Sequence, residues 1–99
     1  MTTKGKDARD LFKTRLTVAR FLKAWRLSDE MSQTEYAKFL GISVQSLCDL
    51  EKGRRIPSPG RAAKIAKKIG YPEQALISLA IRDSLYADGL KYNVKLESV

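Results

Sequence analysis

No histidine occurs in the sequence, and its single cysteine, Cys48, has no second thiol to join. A His-based acid or base, a zinc cluster and an internal disulfide are therefore unavailable. No nucleophile stands beside a base and no glycine-rich stretch is built to cradle phosphates, so neither an enzyme nor a bound metal or cofactor is expected. What the chain holds in excess is positive charge. Nineteen Lys and Arg against eleven Asp and Glu give a formal net charge of +8, and the surplus is one-sided: residues 1–68 carry sixteen Lys or Arg against seven acids, residues 69–99 three against four. The chemistry this offers is recognition of a polyanion, and the first two thirds of the chain is the part expected to face phosphate.

Charge recognises little unless a scaffold presents it. Ninety-nine residues suffice for one domain around one modest core. No apolar window approaches the roughly 20 residues needed to cross a bilayer, and the opening MTTKGKDARD lacks the apolar region of a secretory signal. A cytoplasmic protein with no membrane partner is expected. Residues 1–9, small, polar and basic, read as a mobile arm. From Asp10 the pattern turns helical, with Leu11, Phe12, Arg15, Val18, Leu22, Trp25 and Arg26 at three- and four-residue steps to about Leu27. Phe21 and Trp25 read as core filling.

The next elements announce their own ends. Ser32-Gln-Thr-Glu35 is a capping box that opens a helix over Gln33 to Leu40, with Tyr36, Ala37 and Leu40 on one face. Gly41 can take positive φ and close it, and Ser43 can cap a further helix from Val44 to Lys52 that turns Leu47 and Leu50 inward. Gly53 ends that helix in the same way. Ser58-Pro59 begins a fourth helix, with Ala62, Ile65, Ala66 and Ile69 inward and Lys64, Lys67 and Lys68 on its wet face, and Gly70 closes it. Pro72 opens a fifth reaching about Ala87, apolar over more than one face. In the tail, Leu90, Tyr92, Val94 and Leu96 alternate with polar residues, which predicts a strand in need of another edge.

A small residue at Ala37, a tight turn at Gly41 and apolar residues at Tyr36, Leu40, Ile42, Leu47 and Leu50 are what two short helices at a steep angle require, a helix-turn-helix. The stretch MSQTEYAKFLGISVQSLCDLEKGRRIPS, followed by AKIAKKIG, resembles the Xre family, the DNA-binding domains of lambdoid phage repressors and Cro. The resemblance covers about half the chain. It implies an all-α fold, a five-helix lambda-repressor-like DNA-binding domain, here followed by the expected short C-terminal β-strand. Residues 10–70 would form the DNA-binding domain and residues 71–99 a helix and strand for dimerisation or partner binding.

The resemblance also implies roles. The third helix would lie in the major groove with Ser43, Val44, Gln45, Ser46 and Asp49 toward double-stranded DNA. A Gln45 amide can pair with adenine, Val44 can pack on a thymine methyl, and Asp49 can either accept from cytosine N4 or clamp a neighbouring basic side chain. Gln33, Ser43, Lys52, Arg54 and Arg55 would meet phosphates. Arg26 and Glu51 match the family's structural ion pair, linking the first helix to the end of the third. Cys48, between the core and DNA faces and without an activating neighbour, reads as inert.

The C-terminal third carries the other expectation. Leu79, Leu85, Leu90, Tyr92, Val94 and Leu96 would build a two-fold homodimer, the strands pairing across the axis, so that two reading helices address a palindrome. Two functions suit this layout: a transcriptional regulator, acting as a repressor, or an antitoxin of a type II toxin-antitoxin pair whose tail also binds a toxin protein. The sequence leaves both open.

Overall fold

The computed structural model describes residues 15–99, so the arm predicted over 1–9 and the helical steps at Leu11 and Phe12 lie outside the described residues. Within that range the chain forms five α-helices: α1 (Val18–Ser28), α2 (Gln33–Leu40), α3 (Val44–Glu51), α4 (Pro59–Ile69) and α5 (Glu73–Ala87). Among the described residues no helix is long and apolar enough to cross a membrane.

Among the described residues α1 begins at Val18, after residues that the periodicity places within a helix. Residues 15–17 are not helical, because Thr17 sits in extended geometry at the N-cap and its hydroxyl accepts from the Arg20 N–H. Once Thr17 satisfies an otherwise orphaned donor of the first turn, the backbone before it is released to another direction. Arg15 uses that freedom to reach α5. Its guanidinium donates to Asp83 at 2.7 Å and lies 3.8 Å from the centre of the Tyr86 ring. The second oxygen of Asp83 accepts from the Val18 N–H at 2.8 Å, so the start of α1 is tied to α5 by one buried carboxylate.

Four of the helices, α1, α2, α3 and α5, end by the same device; in α5 Leu90 N–H donates to the Leu85 carbonyl at 2.8 Å and Gly89 N–H to that of Tyr86 at 2.9 Å. At the end of α2, Ile42 N–H donates to the Ala37 carbonyl at 3.0 Å and Gly41 N–H to that of Lys38 at 3.1 Å, around Gly41 at φ 76°. After α3, Arg54 N–H reaches the Asp49 carbonyl at 2.9 Å and Gly53 N–H that of Leu50 at 3.2 Å. After α1, Met31 N–H reaches Arg26 and Glu30 N–H reaches Leu27, but here the left-handed residue is Glu30, at φ 56°. These paired bonds close the last helical carbonyls and need a residue that tolerates positive φ. Glutamate bears that cost at the α1 end.

The core takes residues from every helix: Val18, Phe21 and Leu22; Tyr36, Ala37 and Leu40; Leu47 and Leu50; Ala62, Ile65 and Ala66; and Leu76 and Ala80. Phe21, Trp25 and Tyr71 form an aromatic cluster with ring centres 4.7–5.5 Å apart. Because Leu76 and Ala80 are within 1% of complete burial, α5 is part of this core and also a support for it.

The predicted C-terminal strand does not form. Residues 90–99 run without regular secondary structure, and the side-chain amide of Gln74 donates to the Leu96 carbonyl, holding the tail against α5. A strand exists only by pairing with another, and the described residues contain no second strand. The two-residue alternation is used differently: Val94 and Leu96 are half-buried while Lys91, Lys95 and Glu97 are exposed. An extended segment laid on a helix shows the same period as a strand.

Candidate nucleic-acid interface

The geometry of the outward face follows from how α3 is fixed. Ser43 occupies the N-cap in extended geometry, and its hydroxyl oxygen accepts from the Ser46 N–H at 3.0 Å. Its own O–H donates to the Ser46 hydroxyl at 2.9 Å. Leu47 and Leu50 are buried to within 1%. Those three points leave α3 one orientation, in which Ser43, Val44 and Gln45 are exposed and Ser46, Cys48 and Asp49 are half-buried. Val44 retains 42% exposure, an apolar side chain that the described residues cover only in part.

The far end of α3 is held by charge. Arg26 on α1 donates from Nε to Glu51 Oε2 at 2.7 Å and from a terminal nitrogen to Glu51 Oε1 at 3.0 Å, a two-pronged pair. Another terminal nitrogen of Arg26 donates to the Met31 carbonyl at 3.0 Å. Gln33, at the first position of α2, adds its side-chain amide to Glu51 Oε1 at 3.0 Å. Burial alone would push the Glu51 carboxyl up, but the hydrogen bonds from Arg26 and Gln33 outweigh it and hold the group below the ordinary carboxylate range. One carboxylate thereby links α1, α2 and α3, so that the positioning and outward helices move as a unit. The sequence-predicted Arg26–Glu51 pair is present. That Gln33 joins it is something no spacing announces.

A second polar cluster lies on the outward side. Gln45 and Arg54 both donate to Asp49 Oδ1 at 3.0 Å, and Arg54 extends a terminal nitrogen to Cys48 Sγ at 3.7 Å. The Arg54 guanidinium, helped by Gln45 and opposed by burial, holds Asp49 below the usual carboxylate range. Lys52, Arg54 and Arg55 are exposed in the loop beyond α3. The structure thus brings Gln33, Ser43, Val44, Gln45, Ser46, Asp49, Lys52, Arg54 and Arg55 to one end of the molecule, around α3. Leu79, Leu85, Val94 and Leu96 are half-buried, whereas Leu90 and Tyr92 stand 44% and 64% exposed.

Comparison with known proteins agrees with this geometry. A helix-turn-helix family model matches residues 22–76, and the chain belongs to that DNA-binding family, of the Xre type its residues resemble. A protein of Methanocaldococcus jannaschii, described as an uncharacterized HTH-type transcriptional regulator, is 43% identical over 49 residues, which cover 50% of this chain and 74% of that one. No solved structure matches the chain at a significant level.

Proposed function

We propose that the chain is a sequence-specific DNA-binding transcriptional regulator that acts as a repressor and binds a palindromic operator as a dimer. The observation that carries this is the asymmetry of α3: its inner side is fixed by Leu47, Leu50 and Glu51, while Val44, Gln45 and Ser46 face outward beside a loop bearing Lys52, Arg54 and Arg55. In this reading Gln45 pairs with adenine, Val44 packs on a thymine methyl and Ser46 accepts or donates to a neighbouring base edge. Gln33, Ser43, Lys52, Arg54 and Arg55 hold phosphates and set the register without reading sequence. The name of the Methanocaldococcus relative supports transcriptional control. Repression is the simpler direction, since occupancy of promoter DNA blocks access by itself whereas activation needs a further contact.

Dimerisation rests on the apolar surface left at Leu90 and Tyr92 and on the half-covered Leu79, Leu85, Val94 and Leu96. Two copies would set their reading helices about 34 Å apart, one turn of duplex. Selection of bound sequences from random duplexes tests both parts together. Enrichment of inverted half-sites about 10 base pairs apart is expected. A lone asymmetric half-site bound by a sedimenting monomer would overturn the dimer, and no enrichment at all would overturn the DNA reading. Capture of a second, distinct protein through residues 90–99 would move the function to that of an antitoxin.

A further inference from the structure

Three side chains expected to face DNA are joined to one another, with Asp49 clamping a basic neighbour as one of its two readings allowed. Asp49 Oδ1 accepts from Gln45 Nε2, one turn back on α3, and from Arg54 Nε, beyond the turn at Gly53, both at 3.0 Å. The loop is built to bring Arg54 there. Gly53 at φ 75° reverses the chain, and the Arg54 N–H donates to the Asp49 carbonyl at 2.9 Å. The Asp49 side chain keeps only 21% of its exposure, against 54% for Arg54.

Resting on the reading that α3 recognises bases, we infer that Asp49 is a positioning residue for base discrimination: it fixes the amide of Gln45 and is itself held by Arg54. A glutamine amide has a donating and an accepting end, and free rotation would let it present either to a base. A carboxylate only accepts, so the end of Gln45 that faces Asp49 must be the nitrogen. One N–H of Nε2 is then committed, leaving the other N–H and Oε1 side by side, the arrangement that matches adenine N7 and N6. Arg54 solves the other half of the problem. An unpaired carboxylate on a helix entering a phosphate-lined groove would be repelled, whereas the Asp49–Arg54 pair is electrically neutral. Arg54 therefore acts on specificity through Asp49 as well as on phosphate. Exposed contacts of this kind add little to folding, so their consequence shows in recognition and not in melting.

Two measurements test this, one without DNA. In the free protein, side-chain scalar couplings of Gln45 should report a single rotamer that becomes averaged in Asp49→Ala and in Arg54→Ala. Averaging already present in the unmodified chain would overturn the proposal. On the selected duplex, Asp49→Ala should lower discrimination at the adenine read by Gln45 by about 10-fold. Asp49→Asn, which keeps an accepting oxygen, should retain part of it. In a Gln45→Ala background the Asp49→Ala change should have no further effect on base preference. A loss that persists in that background, or that falls on a base pair indifferent to Gln45, would make Asp49 a base reader and overturn the positioning role. Failure of the underlying reading looks different: the unmodified chain would bind all duplexes equally, whereas failure of the positioning role leaves discrimination that Asp49→Ala does not touch.

Discussion

Replacing Glu51 by glutamine removes the anion around which three helices are arranged. The Arg26 and Glu51 side chains keep 11% and 2% of their exposure, so water cannot substitute for the lost charge. Breaking such a pair from one side costs about 3–5 kcal/mol. The lower end applies here, because Arg26 keeps the Met31 carbonyl and the new amide oxygen can still accept from Arg26 or Gln33. A loss of about 3 kcal/mol corresponds to a fall in Tm of roughly 12–24 °C for a domain of this size. Urea and thermal unfolding followed by circular dichroism measure it.

Two controls isolate the cause. Arg26→Met combined with Glu51→Met removes both charges and should lie within about 1 kcal/mol of the unmodified protein. The pH dependence has a definite sign: the folded carboxyl titrates below its ordinary value, so its stabilisation is complete above the ordinary carboxylate range and is lost as pH falls through the lower folded value. Glu51→Gln should lack that acid-side loss. A single substitution costing less than about 1 kcal/mol, or a double variant no better than the single, would refute the claim that a desolvated ion pair fixes α3.

The remaining predictions concern the supports of that helix. A Cβ at Gly41 would meet nothing within 4 Å, so Gly41→Ala should cost only the left-handed backbone penalty of about 1–2 kcal/mol, read by urea unfolding. Glu30→Gly, at the equivalent position after α1, should go the other way and gain about 0.5 kcal/mol, the relief of φ exceeding the entropy glycine adds to the unfolded chain. Asp83→Ala strands the buried Val18 N–H and unpairs Arg15, and should cost about 2–3 kcal/mol while leaving the Gln45 rotamer unchanged by NMR.

Local signals in the sequence carried most of the fold. Ser32, Ser43 and Ser58 each cap the helix they were expected to cap, because a cap depends on neighbours three residues away and not on the rest of the molecule. The same holds for Gly41, Gly53 and Gly70, each at positive φ. What failed was the assumption that periodicity also fixes partners: Val94 and Leu96 alternate as a strand would, yet lie on α5. The first helix failed at Arg15 for a related reason, since its partner Asp83 is 68 residues away. Of the site, the faces of α3 were legible from Leu47 and Leu50, and Arg26–Glu51 from the family resemblance. The Gln45–Asp49 bond has helical spacing and could have been anticipated from the four-residue step. A clamp of Asp49 on a basic neighbour was among its readings, but that the neighbour is Arg54 depends on the left-handed turn at Gly53.

The central claim is that the exposed side of α3 reads sequence. It is tested most directly by titrating the unmodified chain and Gln45→Ala against the selected duplex and a scrambled one of equal length, across a salt series. The account predicts a specific-to-scrambled affinity ratio on the order of 10³ or more for the unmodified chain. For Gln45→Ala it predicts a ratio about 10-fold or more smaller, with the same salt slope. A ratio near one for the unmodified chain, or an unchanged ratio in Gln45→Ala, would contradict it.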